Sequence, residues 1–416
     1  MLETKFYQEN RKKLSEYMVD NSFYFVHSGS ELESTYDECF LFEPYRNFLY
    51  LTGVSRPDAL FVMTKIDGVV KETLFMHIPT PRETMYTGAT FDKEKLMAET
   101  GIANVVDINT WEDFLSRMMI RYDIQDAYMD MARWRSKYFL NKEQLLAHEL
   151  KESYPYLNIH NAYQKVCSLR TVKSAPEIEA HRKAVKITEE GVKNMLKHMK
   201  PGMMECQIEA YYDFILKGYN VKAPAFTTIA ATGLNACTLH YVDNDTVTKD
   251  GDMILFDLGA KWDQYCADVS RTYPVNGKFT PRQKELYNVV LKGLDAAIAM
   301  SKPGQKKADL QLISKKVMAE ELIKIGKITK PEEIDQYYFH GSGHFIGLDT
   351  HDVGDYDNLL LEKDMMFTLE PGLYFKDEGI GIRIEDTILI TEDGCDVFSK
   401  DIPKTVEEIE RFMSGE

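Results

Sequence analysis

The chain has 416 residues, 44% hydrophobic and 28% charged, an ordinary globular composition that excludes disordered, collagen-like and mucin-like chains. Acidic residues outnumber basic ones, 66 to 50, and the resulting net charge of -16 repels phosphate backbones, so no nucleic-acid partner is expected. Six dispersed cysteines (Cys39, Cys167, Cys206, Cys237, Cys266 and Cys395) contain no CxxC pair and read as reduced thiols of a cytoplasmic protein. Along the chain, the first ten residues are charged and lack an apolar core, so no signal peptide is expected. No apolar run nears the roughly 20 residues of a membrane helix, so no membrane partner is expected either. Residues 3–18 read as an amphipathic helix. Apolar runs at 22–27, 59–64 and 73–78 read as strands, and helices follow around 110–120 and 142–152. This is an α/β N-terminal domain, residues 1–167, with no chemistry of its own. The segment Ser168–Lys173 reads as a connector.

The second domain, 168–416, opens on a capping box, Ser174-Ala175-Pro176-Glu177, and its helix runs to about Met199. Lys200-Pro201-Gly202 ends that helix, a second helix carries Ile208, and strands follow. The pattern then restarts. Thr280-Pro281-Arg282-Gln283 is another capping box, its helix ends near Ser301, and Lys302-Pro303-Gly304 follows. Leu310 lies six residues past Gly304, as Ile208 lies six past Gly202. Further strands are expected at about 365–370 and 381–391. Helix, Pro-Gly, helix and strands thus occur twice, 102 residues apart from Pro201 to Pro303. Two such halves sharing one sheet place a site at their junction.

Asp257 stands alone in the apolar strand Met253-Ile254-Leu255-Phe256-Asp257-Leu258-Gly259-Ala260, and a lone buried carboxylate is costly unless something pairs with it. The return strand carries Asp268. If the turn between them holds an even number of residues, both aspartates face one side of the hairpin; singly, each reads as a structural aspartate beside Arg271. Glu370 ends the apolar run 365–369, and Glu385 sits between apolar strand residues, so surface charge explains both poorly. Three histidines, His340, His344 and His351, fall within twelve residues, in a glycine-rich stretch that excludes the helical HExxH arrangement. Four carboxylates with one or two imidazoles and no thiolate favour Mn²⁺, Co²⁺ or Fe²⁺ over a structural zinc. Four negative charges exceed one divalent ion. Two ions with a bridging hydroxide balance them, which describes a two-metal hydrolase of unspecified substrate.

Residues 168–400 resemble the metallopeptidase family of aminopeptidase P, prolidase and methionine aminopeptidase. The matching blocks are Leu239-His240-Tyr241, 256–259, 267–272, 340–352, Leu369-Glu370-Pro371-Gly372 and 383–386. The resemblance implies an α+β pita-bread catalytic domain with a pseudo-twofold repeat. Residues 1–165 are similar to the aminopeptidase P N-terminal domain, notably at Tyr45-Arg46-Asn47-Phe48-Leu49-Tyr50-Leu51-Thr52-Gly53. By this resemblance Asp257, Asp268, His344, Glu370 and Glu385 are the ligands of two divalent ions, expected to be Mn²⁺ with Co²⁺, Fe²⁺ or Zn²⁺ as alternatives. Glu370 also shuttles the nucleophile's proton. His240 and His351 contact the scissile carbonyl and the developing tetrahedral intermediate, and His340 lines the pocket for a proline ring. Arg383 either orients Glu385 or binds substrate; two residues apart in a strand, the two share a face. The implied reaction releases the first residue from peptides with proline second. Prolidase action on Xaa-Pro dipeptides is the alternative, and a metal-free binding protein of the same fold a weaker one. Methionine aminopeptidase generally lacks both the large N-terminal domain and the His351-Asp352 element. The stretch from Glu370 to Arg383 and the phrase 379–385 look closer to aminopeptidase P. The family also implies a homodimer or homotetramer.

Overall fold

The computed structural model describes residues 2–88, 90–132, 140–354 and 359–415. The chain divides into two compact units, Met1–Arg170 and Thr171–Glu416. The first is built on a six-stranded mixed sheet in the order Asn104–Asp107, Val69–Met76, Leu60–Ile66, Ser22–His27, Asp126–Met129 and Asn158–Asn161. The helix Thr4–Tyr17 buries Phe6, Tyr7, Asn10, Arg11 and Leu14, the single face that its spacing predicts. The block 45–53 forms the helix Arg46–Thr52, stopped by Gly53 at φ 73°. Any side chain at Gly53 would meet the Tyr7 ring 2.5 Å away. Asn47 is the block's buried anchor: its Nδ2 donates to Asp130, and its Oδ1 accepts from Arg170 at 2.8 Å. The expected connector differs, because the helix Tyr163–Thr171 continues through Ser168.

In the second unit both capping boxes start helices, Ala175–His198 and Pro281–Met300. The second helices of the two halves are Glu205–Gly218 and Lys307–Lys324. Backbone bonds repeat the 102-residue offset on their helix-side residues. Gly202 N–H donates to Thr248 O at 2.9 Å, and Gly304 N–H to Leu361 O at 2.8 Å. Met203 O accepts from Thr248, and Gln305 O from Leu361; Glu205 N–H bonds Thr246 O, and Lys307 N–H bonds Leu359 O. Both glycines have positive φ, 89° and 83°, so each half turns from its first helix toward its second through the same left-handed residue.

The two halves do not share one continuous ladder. Ile229–Thr232, Met253–Leu258 and Val269–Pro274 form one three-stranded sheet, and Met366–Leu369, Asp386–Ile390 and Cys395–Val397 another. They meet where Glu385 N–H donates to Ser270 O at 2.9 Å and Thr387 Oγ1 donates to Asp268 O at 2.8 Å. The strand expected over 381–391 is two strands, Ile380–Arg383 and Asp386–Ile390, broken at Ile384 and Glu385. The buried Arg271 guanidinium explains the break. It binds the Glu385 carbonyl, Asp386 Oδ1 at 2.7 Å and Ser399 O at 3.2 Å, so the backbone turns to serve it.

One register sets the site. Asp257 pairs with Ser270, and Trp262 with Tyr265. The residue numbers of every such pair sum to the same value, so no bulge intervenes in the ladder. The loop is two residues, Asp263 and Gln264, with φ 46° and 72°, the pair of positive values that a type I′ turn uses. Asp268, two residues before Ser270, therefore shares its face with Asp257. Gly259 lets the strands close, since a Cβ there would lie 1.8 Å from Ala267 O. Gly259→Ala is expected to lower stability by about 1–3 kcal/mol in denaturant unfolding. Gly218→Ala, at a helix end with nothing within 4 Å, is the control; equal midpoints for the two variants would contradict this account of the hairpin.

Candidate metal centre

Strand ends and breaks deliver the acidic groups. Asp257 is next to last in its strand, Asp268 precedes Val269–Pro274, Glu370 follows Met366–Leu369, and Glu385 lies in the break after Arg383. His344 sits in irregular chain pinned to the strand beside it: its N–H donates to Thr368 Oγ1 at 3.1 Å, and its carbonyl accepts from Thr368 N–H at 2.8 Å. Gly343, at φ 144°, allows that contact, because a Cβ there would fall 1.8 Å from Thr368 O. His351 lies on the loop that closes where Asp352 N–H meets Phe345 O at 2.8 Å and Lys173 Nζ meets Asp352 Oδ2 at 3.0 Å.

One cavity of about 620 Å³ is lined by all nine residues singled out in the sequence: Asp257, Asp268, His344, Glu370, Glu385, His240, His340, His351 and Arg383. His344 Nε2 lies 3.2 Å from Asp268 Oδ2, 3.9 Å from Glu370 Oε1 and 4.0 Å from Glu385 Oε1. Its Nδ1 faces Phe345 O at 3.1 Å, which assigns the proton to Nδ1 and leaves Nε2 a lone pair. Burial first, then His351, holds its pKa down at about 4. The His351 ring stands 4.1 Å from the His344 ring.

Like charges crowd the acids. Burial first, then Glu385, holds the Asp268 and Glu370 carboxyls well above the usual carboxylate range. Glu385 is pushed up to about 7 by burial and then by Asp257. Asp257 Oδ1, Asp268 Oδ1 and Glu385 Oε1 are buried, and among the described residues none donates a hydrogen bond to them. Orphaned anionic oxygens of this kind are costly, and a cation supplies the missing partner. Asp268, His344 and Glu385 can each turn a ligand atom to within 4.8 Å of the others. Among the described residues no cysteine lines the cavity. The donor set is hard and oxygen-rich and fits a divalent cation.

Arg383 is buried, and its three nitrogens are taken: Nε by Ser270 Oγ at 2.8 Å, Nη1 by Tyr374 Oη at 3.1 Å and Nη2 by Asp257 Oδ2 at 2.6 Å. It is linked to Glu385 through Ser270, whose hydroxyl donates to Glu385 Oε2 at 2.9 Å. The break at Ile384 replaces the continuous strand expected to align Arg383 with Glu385. His340 is similarly engaged, with Nδ1 on Gly341 O at 2.7 Å and Nε2 on the Tyr374 hydroxyl at 2.9 Å. Sequence reasoning passed over three supporting residues. Ser270 lies two after Asp268 and shares its face, so alternation could have found it. Tyr374 ties His340 to Arg383 and carries no local signal. Lys307 donates to Gly343 O at 2.5 Å and begins the second helix of its half, as Glu205 does in the other.

Residues 179–392 match the model of metallopeptidase family M24, and residues 7–126 match that of the aminopeptidase P N-terminal domain. The chain is 29% identical to a Xaa-Pro aminopeptidase of Haemophilus influenzae, over 98% of this chain and 97% of that one. A solved Bacillus anthracis structure, described as a candidate aminopeptidase P, is 42% identical with a TM-score of 0.97, over 100% of this chain and 99% of that one. Zinc-substituted Escherichia coli aminopeptidase P in complex with product is 27% identical with a TM-score of 0.92 and the same coverage. The pita-bread fold and its acid-and-histidine cavity thus come with a family-wide match, and the chain belongs to metallopeptidase family M24.

Proposed function

We propose that this chain is an Xaa-Pro aminopeptidase, a metal-dependent exopeptidase that removes the first residue from peptides with proline second. The observation that carries the reading is the convergence of four carboxylates and His344 on one cavity, with three carboxylate oxygens left without donors. Similarity to Xaa-Pro aminopeptidases along nearly the whole of both chains favours this reading over prolidase. The filled set of acids and His344 favours an enzyme over a metal-free binding protein.

In this reading Asp257, Asp268, His344, Glu370 and Glu385 hold two divalent ions, whose charge balances the four carboxylates, with Mn²⁺ the expected metal. Bound divalent cations supply Lewis-acid polarisation and a water acidic enough to attack near neutral pH. The chain's own groups do the rest. Glu370 accepts the proton of the attacking water on its carboxylate and passes it to the departing proline nitrogen. The Glu370 backbone N–H, bonded to Ser342 O at 2.9 Å, fixes where that carboxylate starts. His240 and His351 donate ring N–H groups to the scissile carbonyl oxygen as its charge grows. His340, with both nitrogens engaged, offers its ring face as a wall for the proline ring. Arg383 is a positioning residue that holds Asp257. Six free cysteines support a cytoplasmic location, among the described residues no helix is long and apolar enough to cross a membrane, and a homodimer or homotetramer follows from the resemblance.

The test is a paired assay on Mn²⁺-loaded protein, each arm with a chelated control. Chelator-sensitive release of Xaa from Xaa-Pro-Yaa is expected; cleavage of the Xaa-Pro dipeptide alone would replace this reading with prolidase. Glu370→Ala is expected to lower kcat by at least about 10²- to 10⁴-fold with an unchanged circular dichroism spectrum, and near-normal turnover would remove Glu370 from its role. Arg383→Lys cannot serve Ser270, Tyr374 and Asp257 together. It is expected to lower the metal-to-protein ratio after gel filtration, and an unchanged ratio would separate Arg383 from the metal centre.

A further inference from the structure

His240 reaches the cavity from the segment between Thr232 and Thr246, irregular after the short 3-10 helix Gly233–Cys237, and among the described residues no hydrogen bond holds its ring. Its position therefore depends on the backbone that carries it. Both ends of that segment converge on one buried carboxylate. Glu205 Oε1 accepts from Thr232 N–H at 2.6 Å and from Asn235 Nδ2 at 3.3 Å. Its Oε2 accepts from Thr246 N–H at 2.9 Å and from the Tyr241 hydroxyl at 2.9 Å. Glu205 is fully buried, so these donors cannot be replaced by solvent without opening the loop. Asn235 Nδ2 also reaches Thr246 Oγ1 at 2.8 Å, binding the two ends directly. The segment is a compact loop with a closed neck. Leu239, His240 and Val242 on it form one wall of the cavity.

The other half uses the same position for a similar task. Lys307 lies 102 residues after Glu205, the offset of the repeat, and likewise begins the second helix. Its ammonium binds Gly343 O, next to His344. Each half thus uses the first residue of its second helix to hold a histidine-bearing segment, through a carboxylate in one case and an ammonium in the other.

We propose that Glu205 is a positioning residue for His240: by closing the neck of the 232–246 loop it sets where the imidazole meets the substrate carbonyl. This rests on the reading of His240 given above. Gln at 205 can still accept at one oxygen, but its NH₂ would face the Thr246 N–H, so the neck opens on that side. Three variants, Glu205→Gln, His240→Ala and the double variant, are compared in kcat, KM, metal content and amide hydrogen exchange, all as metal-loaded full-length protein. Glu205→Gln is expected to speed exchange at Thr232 and Thr246 and to lower kcat by about 10- to 100-fold, with KM and metal content unchanged. In the His240→Ala background it is expected to lower kcat by less than about 2-fold, as coupled residues do. An equal loss in both backgrounds, or unchanged exchange, overturns the proposal. Full activity in His240→Ala alone would instead remove the assigned role of His240. Should Glu205→Gln fail to fold, Tyr241→Phe removes one donor from the same carboxylate and decides by the same non-additivity.

Discussion

The structure depends on one electrostatic problem: several carboxylates are buried together in a single cavity. Asp257, Asp268, Glu370 and Glu385 crowd one another, and burial raises the cost of the charge on Asp268, Glu370 and Glu385. The protein supplies only part of the compensation. Arg383 answers one oxygen of Asp257, and Ser270 one oxygen of Glu385. Three buried oxygens keep no donor. A fold selected for stability alone would place apolar residues there. The retained, half-answered charge fits a place for cations, and it is the ground on which the cavity is proposed as the seat of the chemistry.

The scaffold delivers these groups through local backbone devices. The unbulged register with its two-residue turn puts Asp257 and Asp268 on one face. Arg271 breaks the later strand and sets Glu385 at the junction of the two sheets. The duplicated helix-and-strand pattern brings one sheet from each half to that junction. The supporting groups are engaged throughout: Arg383 and His340 spend their nitrogens on protein partners, and Lys307 ties down the segment beside His344. That engagement gives the proposed catalytic groups fixed positions, which transition-state stabilisation requires.

Much of this was legible in the residues. The capping boxes at Ser174 and Thr280 start helices where expected, and the 102-residue repeat reappears in corresponding backbone bonds of the helix-side residues. The shared face of Asp257 and Asp268 followed from alternation and an even turn. Other features were hidden for physical reasons. Trp262-Asp263-Gln264-Tyr265 has neither Gly nor Asn to announce a type I′ turn; tertiary pairing imposes the positive φ values. Ile382, Ile384, Ile388 and Ile390 alternate and read as one strand, interrupted in sequence by Asp386, and the distant Arg271, bound to Asp386 and the Glu385 carbonyl, explains the break there. Ser168–Lys173 reads as a connector, yet the helix Tyr163–Thr171 continues into it, with Leu169 three residues after the buried Val166. Glu205 acts on Thr232 and Thr246, too far along the chain for any local pattern to show.

The most direct test of this account is calorimetric titration of Mn²⁺ into chelator-treated, folded protein, with Asp268→Asn beside it. The account predicts two ions bound per chain in the native protein and fewer in the variant. Folded protein that binds less than one ion per chain, or a variant that binds as many as the native chain, would contradict it.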